Sequence, residues 1–193
     1  TYWPIYAANR LEYGLPLYDL LDRCRPNARQ FARDVMHSSG EFLVLSTGMD
    51  CVPHYGFPDG QLGFSGLPWA VHHYWLHWRY SQDREFLRRR AIPIMKAALQ
   101  PLLQQLREGP DGKLHLEWSF SPEYQGSTGS FWGPDSTMDL ALLRFLLDAL
   151  IEADDVLGAR DPQRPQWETT RARLAPFPRH PTEGLKVRAD LRY

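Results

Sequence analysis

Apolar residues recur every three or four positions along most of this chain, which is the spacing of one face of an α-helix. Between residues 4 and 22 they fall at Ile5, Ala8, Leu11 and Leu15. Pro4 suits a first helical turn, whereas Gly14-Leu15-Pro16 predicts a kink or a split. The same spacing predicts a helix over residues 26–39, another that starts at Pro68, and a last one over residues 167–174. It also predicts a helix capped by Asp83, which is interrupted at Pro93 and resumes from Ile94 to about Leu106.

The segment from Ser136 to Gly158 is the clearest helix. Ser136 can cap its N-terminus, Asp139 stands three residues further on as in a capping box, and Gly158 suits the C-terminal end. The polar side chains inside it are Arg144, Asp148, Glu152, Asp154 and Asp155. A helix that is apolar around most of its circumference has to be covered on most sides. We therefore expect an inner helix, sandwiched between others.

Two stretches depart from the helical spacing. Residues 40–66 contain too many glycines and prolines for regular structure, and so long a loop in a compact domain is usually functional. Leu114, Leu116 and Trp118 alternate with polar residues, which is typical of a short strand. That strand leads into a second loop, which ends at Ser136.

Together these elements predict an all-α fold with little strand. About six or seven helical segments in pairs, one of them almost wholly apolar, fit a helical toroid or solenoid better than a four-helix bundle. The length of 193 residues suits a single domain over residues 1–193. The chain begins without an initiator methionine or a signal peptide, so we expect a segment of a longer protein.

The charge balance excludes two classes of partner. Lys and Arg number 22 and Asp and Glu number 23, so the net charge is −1, and neither nucleic acid nor an anionic membrane is an expected partner. No apolar run approaches the roughly 18 residues of a membrane span. Cys24 and Cys51 can either pair or stay free, and the sequence leaves this open.

Glu123 is the candidate catalytic residue. Ser121-Pro122 brings the chain to it in an extended or turn conformation, and the glycines that follow permit sharp bends. Nearby aromatic rings can raise the pKa of this carboxyl by desolvation, as a general acid requires, and they are Trp118, Phe120, Tyr124, Phe131 and Trp132. The alternative is a solvated glutamate in a surface turn.

Hydrolysis of a glycoside needs a second group that activates water or attacks carbon. Glu117 competes with Glu123 for the role of acid, while Asp50, Asp59 and Asp190 are weaker candidates for the partner. His73 and His77 lie one helical turn apart, yet no nearby acid or thiolate completes a zinc site. No loop has the glycine spacing that cradles phosphate. We expect neither a metal nor another cofactor.

Several motifs follow one another in a recognisable order. They are Tyr2-Trp3-Pro4, Ala8-Asn9, Gly14-Leu15-Pro16, Trp69, Trp75, Tyr80, Asp83, Phe86-Leu87, Pro93, Lys96, Ser121-Pro122-Glu123, Thr137-Met138-Asp139, Leu157-Gly158 and Trp167. In this order they resemble glycoside hydrolase family 95, the inverting α-L-fucosidases and their relatives. The resemblance extends over essentially the whole chain, and its most specific part is Ser-Pro-Glu followed by Thr-Met-Asp.

The resemblance implies part of an (α/α)6 toroid built of helix hairpins, with Glu123 as the general acid. It implies a substrate class, oligosaccharides or glycoconjugates with a terminal α-L-sugar such as fucose, and cleavage with inversion. The asparagines that hold the water and the aspartate that polarises them would lie outside this chain, in the remainder of the catalytic domain on both sides. Residues 59–64 match the family loosely, which leaves the sugar open. We expect a secreted or periplasmic bacterial protein.

In this hypothesis Trp118, Tyr124 and Trp132 shape the sugar site or stack on the sugar, and His72 or His73 hydrogen-bonds its hydroxyls. The chain alone, with roughly half of the hairpins of a toroid, is expected to be inactive. Two alternatives remain. One is a non-catalytic carbohydrate-binding or scaffold relative, and the other is a different toroid enzyme, either a phosphorylase or a polysaccharide lyase.

Overall fold

The computed structural model describes residues 2–54, 63–121 and 132–191, and over this part of the chain the fold is all-α, as predicted. The helices are α1 (Pro4–Ala7), α2 (Leu15–Asp34), α3 (Gly66–Ala70), α4 (His72–Ser81), α5 (Arg84–Phe86), α6 (Ile92–Gln104), α7 (Thr137–Leu157) and α8 (Arg164–Arg173). A 3-10 turn covers Leu11–Gly14, and a π turn covers Leu87–Ala91. Two antiparallel hairpins complete the order, β1 (Leu106–Glu108) with β2 (Leu114–Leu116) and β3 (Arg179–His180) with β4 (Gly184–Leu185).

Helix α2 corrects two predicted boundaries. Pro16 lies in its first turn, where a missing N–H removes no hydrogen bond, and Pro26 lies in its interior without ending it. The break falls earlier, between α1 and the 3-10 turn, where Asn9 has a φ of 53°. The helix continues through Pro26 because its buried face, which includes Leu21 and Ala32, is held by the core.

The predicted interruption at Pro93 is also wrong. Asp83 caps α5 as expected, since its Oδ1 accepts from Glu85 N at 2.9 Å and from Phe86 N at 3.0 Å. The wider π turn then closes with Ile92 N donating to Leu87 O, and α6 follows with Pro93 in its first turn. The ring of Pro93 is therefore placed where the helix needs no donor, and the helical path is continuous from Arg84 to Gln104.

Helix α7 is the inner helix of the fold, as its composition predicted. It packs against α6 and α8, and its apolar side chains join those of α2 and α4 in one core. Its polar stripe meets neighbouring helices, because Asp148 pairs with Arg171 at 2.7 Å and Glu152 with Arg79 at 3.1 Å. Gly158 closes its end with a φ of 60°. No helix in the described residues is long and apolar enough to cross a membrane.

The irregular stretch predicted for residues 40–66 is confirmed in its described parts before α3, residues 40–54 and 63–65. A disulfide between Cys24 and Cys51 ties this stretch to α2 and answers the question that the sequence left open. Both cysteines are buried. Pairing restricts the unfolded chain across the 27 residues that separate them.

We expect the double substitution Cys24→Ser/Cys51→Ser to lower the free energy of unfolding by about 3 kcal/mol, since it restores the freedom of that loop in the unfolded chain. Urea unfolding of both proteins measures the difference. A reducing agent should destabilise the wild type similarly and leave the double variant unchanged. Equal stability of the two oxidised proteins would contradict a structural role.

Candidate active site

The candidate acid Glu123 and the aromatic Tyr124 belong to residues 122–131, which lie outside the described residues. The structure describes the chain on both sides of them, up to Ser121 and again from Trp132. The described part of the site consists of these two flanks, the helix that holds them and the groove beside them.

The two flanks are joined to each other. Ser119 N donates to Gly133 O at 2.9 Å, and Gly133 N donates to Ser119 O at 3.0 Å. The Ser119 hydroxyl donates to Gly133 O as well, at 2.8 Å. The chain before residue 122 and the chain after residue 131 are thus held together at one place. We call this pairing of Ser119 with Gly133 the stem.

The N-terminus of α7 fixes this stem to the core. Ser136 N donates to Ser119 Oγ at 2.7 Å, and the Ser136 hydroxyl caps α7 by accepting from Asp139 N at 3.0 Å. The predicted capping box is half formed, because the Asp139 carboxylate does not return to Ser136 N. Its Oδ2 accepts from Phe120 N at 2.9 Å instead.

Asp139, which the sequence predicted only as part of a cap and a motif, has a contact that the sequence did not reveal. It is fully buried, and burial raises the pKa of its carboxyl to about 7 although the hydrogen bonds from Phe120 and Ser136 act to lower it. Its Oδ1 has no hydrogen-bond partner among the described residues. The sequence did contain an indication of this contact, namely a carboxyl group in the first turn of an almost wholly apolar helix. Such a carboxyl either caps the helix or hydrogen-bonds to another buried part of the chain.

Two of the predicted aromatic residues border the stem. Trp118 is 55% exposed, so its ring is open to solvent for stacking. Trp132 is half-buried and stacks on Phe120 with ring centroids 5.3 Å apart. Phe120 in turn fills the space at Gly63, where a Cβ would lie 1.6 Å from a ring carbon. The long irregular stretch therefore contacts Phe120 at Gly63, and Phe120 supports the ring of Trp132.

A groove of about 470 Å³ adjoins the stem. Its lining comes from α3, α4, the chain next to the stem, the start of α7, and β4 with the residues that follow it. The lining residues are Trp69, His72, Ser121, Thr137, Met138, Ala141, Leu142, Leu185, Lys186 and Val187. A second groove of about 390 Å³ shares Trp69 and Met138 with it. Since Ser121 lies on the wall, the chain that carries Glu123 departs from the edge of this groove.

The two predicted histidines have different environments. His72 lines the groove, stacks on Phe145 at 3.7 Å between ring centroids, and has a pKa lowered by burial, so it is neutral at pH 7. His73 is buried, burial lowers its pKa to about 4, and its Nδ1 lies 2.9 Å from the hydroxyl of Tyr6. His72 Nδ1 lies 3.2 Å from Trp69 O, so its Nε2 is the nitrogen that could meet a ligand in the groove, whereas His73 is buried and bonded to Tyr6.

The other candidate carboxylates that the structure describes lie next to basic side chains. Glu117 is exposed and pairs with Arg107 at 3.4 Å, and Asp50 is exposed near His54 at 3.6 Å. Asp190 forms a bidentate pair with Arg188 at 2.6 and 3.0 Å. Asp59 lies outside the described residues. No group of three or more His, Cys, Asp or Glu side chains in the described ranges could hold a metal ion.

A charged cluster supports the stem from the β1–β2 side. His115 Nδ1 lies 2.5 Å from Asp135 Oδ2, its Nε2 lies 3.0 Å from Asp111 Oδ1, and Asp135 Oδ1 accepts from Leu116 N at 2.8 Å. Burial acts to lower the pKa of His115, but the hydrogen bonds to both carboxylates raise it overall. The cluster fixes Asp135, which directly precedes the cap of α7.

His115 makes the stability of the folded protein depend on pH. Because the pKa of folded His115 exceeds that of a free imidazole, about 6.5, its stabilisation is complete below that pH and is lost as pH rises through the raised pKa. We expect His115→Gln to destabilise the protein more at about pH 5.5 than at about pH 8.5. Thermal unfolding at both pH values measures this, with His180→Gln as control. A loss that is independent of pH would contradict it.

Comparison with known proteins gives two findings. Residues 1–185 match the model of the glycosyl hydrolase family 95 catalytic domain. The chain is also 29% identical over 165 residues to "Alpha-L-fucosidase 2" of Arabidopsis thaliana, in an alignment that covers 82% of this chain and 20% of that protein. This chain therefore spans about a fifth of the length of that relative.

Proposed function

This chain belongs to the glycosyl hydrolase family 95 catalytic domain family, and from that premise we propose that it is the part of a glycosidase that supplies the general acid. Its substrates are glycans that end in an α-L-sugar, fucose or a close relative, and cleavage inverts the anomeric centre. The observation that carries the proposal is the family match over residues 1–185. The curated relative, named as an α-L-fucosidase, agrees with it.

In this proposal Glu123 donates a proton to the departing sugar oxygen. Two features support that role. The stem at Ser119 and Gly133 is tied to α7, the innermost helix, so the chain around Glu123 starts from a rigid base. Ser121, two residues before Glu123, lines the groove, so the acid is attached at its edge. A general acid needs both a fixed position and a site from which water is largely excluded.

The composition of the groove supports the choice of sugar. Met138, Ala141 and Leu142 form an apolar wall along α7, while Trp69 is 48% exposed beside the groove. L-Fucose bears a methyl group where most hexoses bear a hydroxymethyl, and an apolar wall discriminates by about 1–3 kcal/mol per such group. His72, neutral and at the wall, offers a ring nitrogen to a sugar hydroxyl.

Inversion needs a second group that activates water, and we propose that it comes from the rest of the catalytic domain. That domain would be an (α/α)6 toroid closed by helices on both sides of this chain, and the chain alone would be inactive. The disulfide between Cys24 and Cys51 supports a secreted or periplasmic protein, because such bonds persist in oxidising compartments.

The test is a screen of the full-length protein on aryl glycosides. We expect hydrolysis of an aryl α-L-fucoside, faster than that of the α-L-galactoside, and NMR of the first product should show the β-anomer. Release of sugar that requires phosphate would indicate a phosphorylase, and an unsaturated product would indicate a lyase. Binding of the sugar without turnover would indicate a carbohydrate-binding relative. Each of these three results would overturn the proposal.

A further inference from the structure

A segment that the proposed mechanism does not use crosses the start of α7. We call residues 184–190 the strap. It begins in β4, which pairs with β3, and Lys186 N donates to Pro178 O at 2.9 Å. Most of the strap lies beyond the residues that match the family model, which end at 185.

The strap is bonded to the base of the candidate site. Thr137 N donates to Val187 O at 2.9 Å, and the Thr137 hydroxyl donates to Lys186 O at 2.5 Å. Ala189 N donates to Pro134 O at 3.3 Å. The first N–H groups of α7 have no hydrogen-bond partner within the helix, and Val187 O of the strap accepts from one of them. Both ends of the crossing are therefore attached to the stem or to α7.

The strap also forms a wall of the groove. Leu185, Lys186 and Val187 line it together with Trp69 and His72. The Lys186 ammonium group turns back onto Ala189 O at 2.7 Å, and Leu185 is 54% exposed. The wall that faces the groove is thus apolar in character, and its position depends on how the strap is anchored.

Arg188 is that anchor. It is 5% exposed, unusually low for an arginine, and its guanidinium group forms the bidentate pair with Asp190. It lies against the stem, because a Cβ at Gly133 would come within 2.5 Å of Arg188 Nε and 2.7 Å of Arg188 Cζ. The absence of a side chain at Gly133 therefore makes room for the guanidinium group. A planar, bidentate group of this kind is poorly replaced by lysine.

We propose that Arg188 is a positioning residue for the substrate groove, which it serves by locking the strap against Gly133 so that Leu185 and Val187 form the wall that holds the sugar. This inference rests on the proposed function, since it assigns a sugar to the groove. It predicts that loosening the strap weakens substrate binding far more than it slows the chemical step, because Arg188 does not touch the reacting atoms.

Gly133→Ala tests the lock without changing the strap itself. Gly133 does not have a positive φ, so an alanine backbone is allowed there and the conflict arises with Arg188. In the full-length protein we expect KM for the aryl α-L-fucoside to rise about tenfold with kcat within about threefold, which corresponds to a loss near 1.4 kcal/mol. Trypsin should cleave after Lys186 faster in this variant than in the wild type, as mass spectrometry would show.

The decisive comparison is a double-mutant cycle. Arg188→Ala alone should raise KM to a similar extent, and adding Gly133→Ala to it should then change KM by less than about twofold, because the conflicting side chain is gone. Arg164→Ala is the matched control. Arg164 is half-buried and holds Asp154 at 3.0 Å on the α8 side, so its loss should lower Tm and leave KM unchanged.

The outcomes separate the two proposals. A wild type without glycosidase activity overturns the proposed function and this inference together. An active wild type with additive effects of Gly133→Ala and Arg188→Ala, or with unchanged KM in both variants, overturns only the inference. A rise in KM for Arg164→Ala equal to that for Arg188→Ala would also overturn it, since the effect would then be general destabilisation.

Discussion

Glu123→Gln in the full-length protein is expected to lower kcat on a glycan or an alkyl α-L-fucoside by a factor of about 10²–10⁴, the contribution of a positioned general acid. Glutamine keeps the size of the side chain and its ability to hydrogen-bond, but it has no proton to transfer. The loss should depend on the leaving group, because a departing oxygen that is already stable needs little protonation. An α-L-fucosyl fluoride should therefore be hydrolysed by the variant at a rate much closer to that of the wild type.

Glu117→Gln is the matched control for this experiment. Glu117 lies on the same approach to the loop, yet its carboxylate is exposed and pairs with Arg107. An exposed pair of this kind contributes little to stability, so we expect activity within about threefold of the wild type. Near-normal turnover of the alkyl fucoside by Glu123→Gln, or a larger loss in Glu117→Gln, would remove Glu123 from the role of acid.

The elements that the sequence predicted well are those determined by neighbours along the chain. Ser136 caps α7, Asp83 caps α5, and Gly158 closes α7, each through contacts within a few residues. The apolar circumference of α7 likewise predicted an inner helix, because burial follows from the side chains themselves. Local chemistry was sufficient for these features.

The elements that were predicted wrongly depend on the rest of the molecule. Pro26 usually ends a helix, but the buried face of α2 keeps the helix intact, and a π turn before Pro93 accommodates that proline. The helix predicted to end at about Leu106 overlaps the first residue of β1, and the sequence did not predict this strand, since its three residues carry too short a pattern and are fixed by pairing with β2. Tertiary packing overrode local preference in each case.

Contacts between distant residues account for what the sequence could not show in the site. The Asp139 carboxylate reaches Phe120, and Arg188 reaches Gly133, across 19 and 55 positions of the printed sequence. No spacing rule connects such pairs. The sequence could nominate Glu123, Trp118, Trp132 and His72 by chemical type, but it could not reveal the buried network that holds the stem beneath them.

Asp139→Asn is expected to remove a large pH dependence of stability between about pH 4 and pH 7. Burial raises the pKa of Asp139 to about 7, whereas an aspartic acid in an unfolded chain titrates near 3.9. The folded state therefore binds an extra proton between these values, so wild-type stability is fullest below about pH 4 and falls as pH rises to 7. Three pKa units correspond to about 4 kcal/mol over the whole range.

Asparagine removes this loss because it does not ionise, while its carbonyl oxygen can still accept from Phe120 N as Asp139 Oδ2 does. Urea unfolding at about pH 5 and pH 8 should show the stability of Asp139→Asn relative to the wild type improving by roughly 2–3 kcal/mol at the higher pH. Asp148→Asn, on the exposed side of the same helix and paired with Arg171, should show no such improvement.

Parallel pH curves for Asp139→Asn and the wild type would mean that the carboxyl stays ionised in the folded protein, which burial without a countercharge opposes. The stem is held to α7 through Asp139, a carboxyl that burial keeps protonated below about pH 7. Ionisation of Asp139 strengthens the hydrogen bond from Phe120 N, but burying the charge costs more than that bond gains, so stability should fall as the pH rises towards 7.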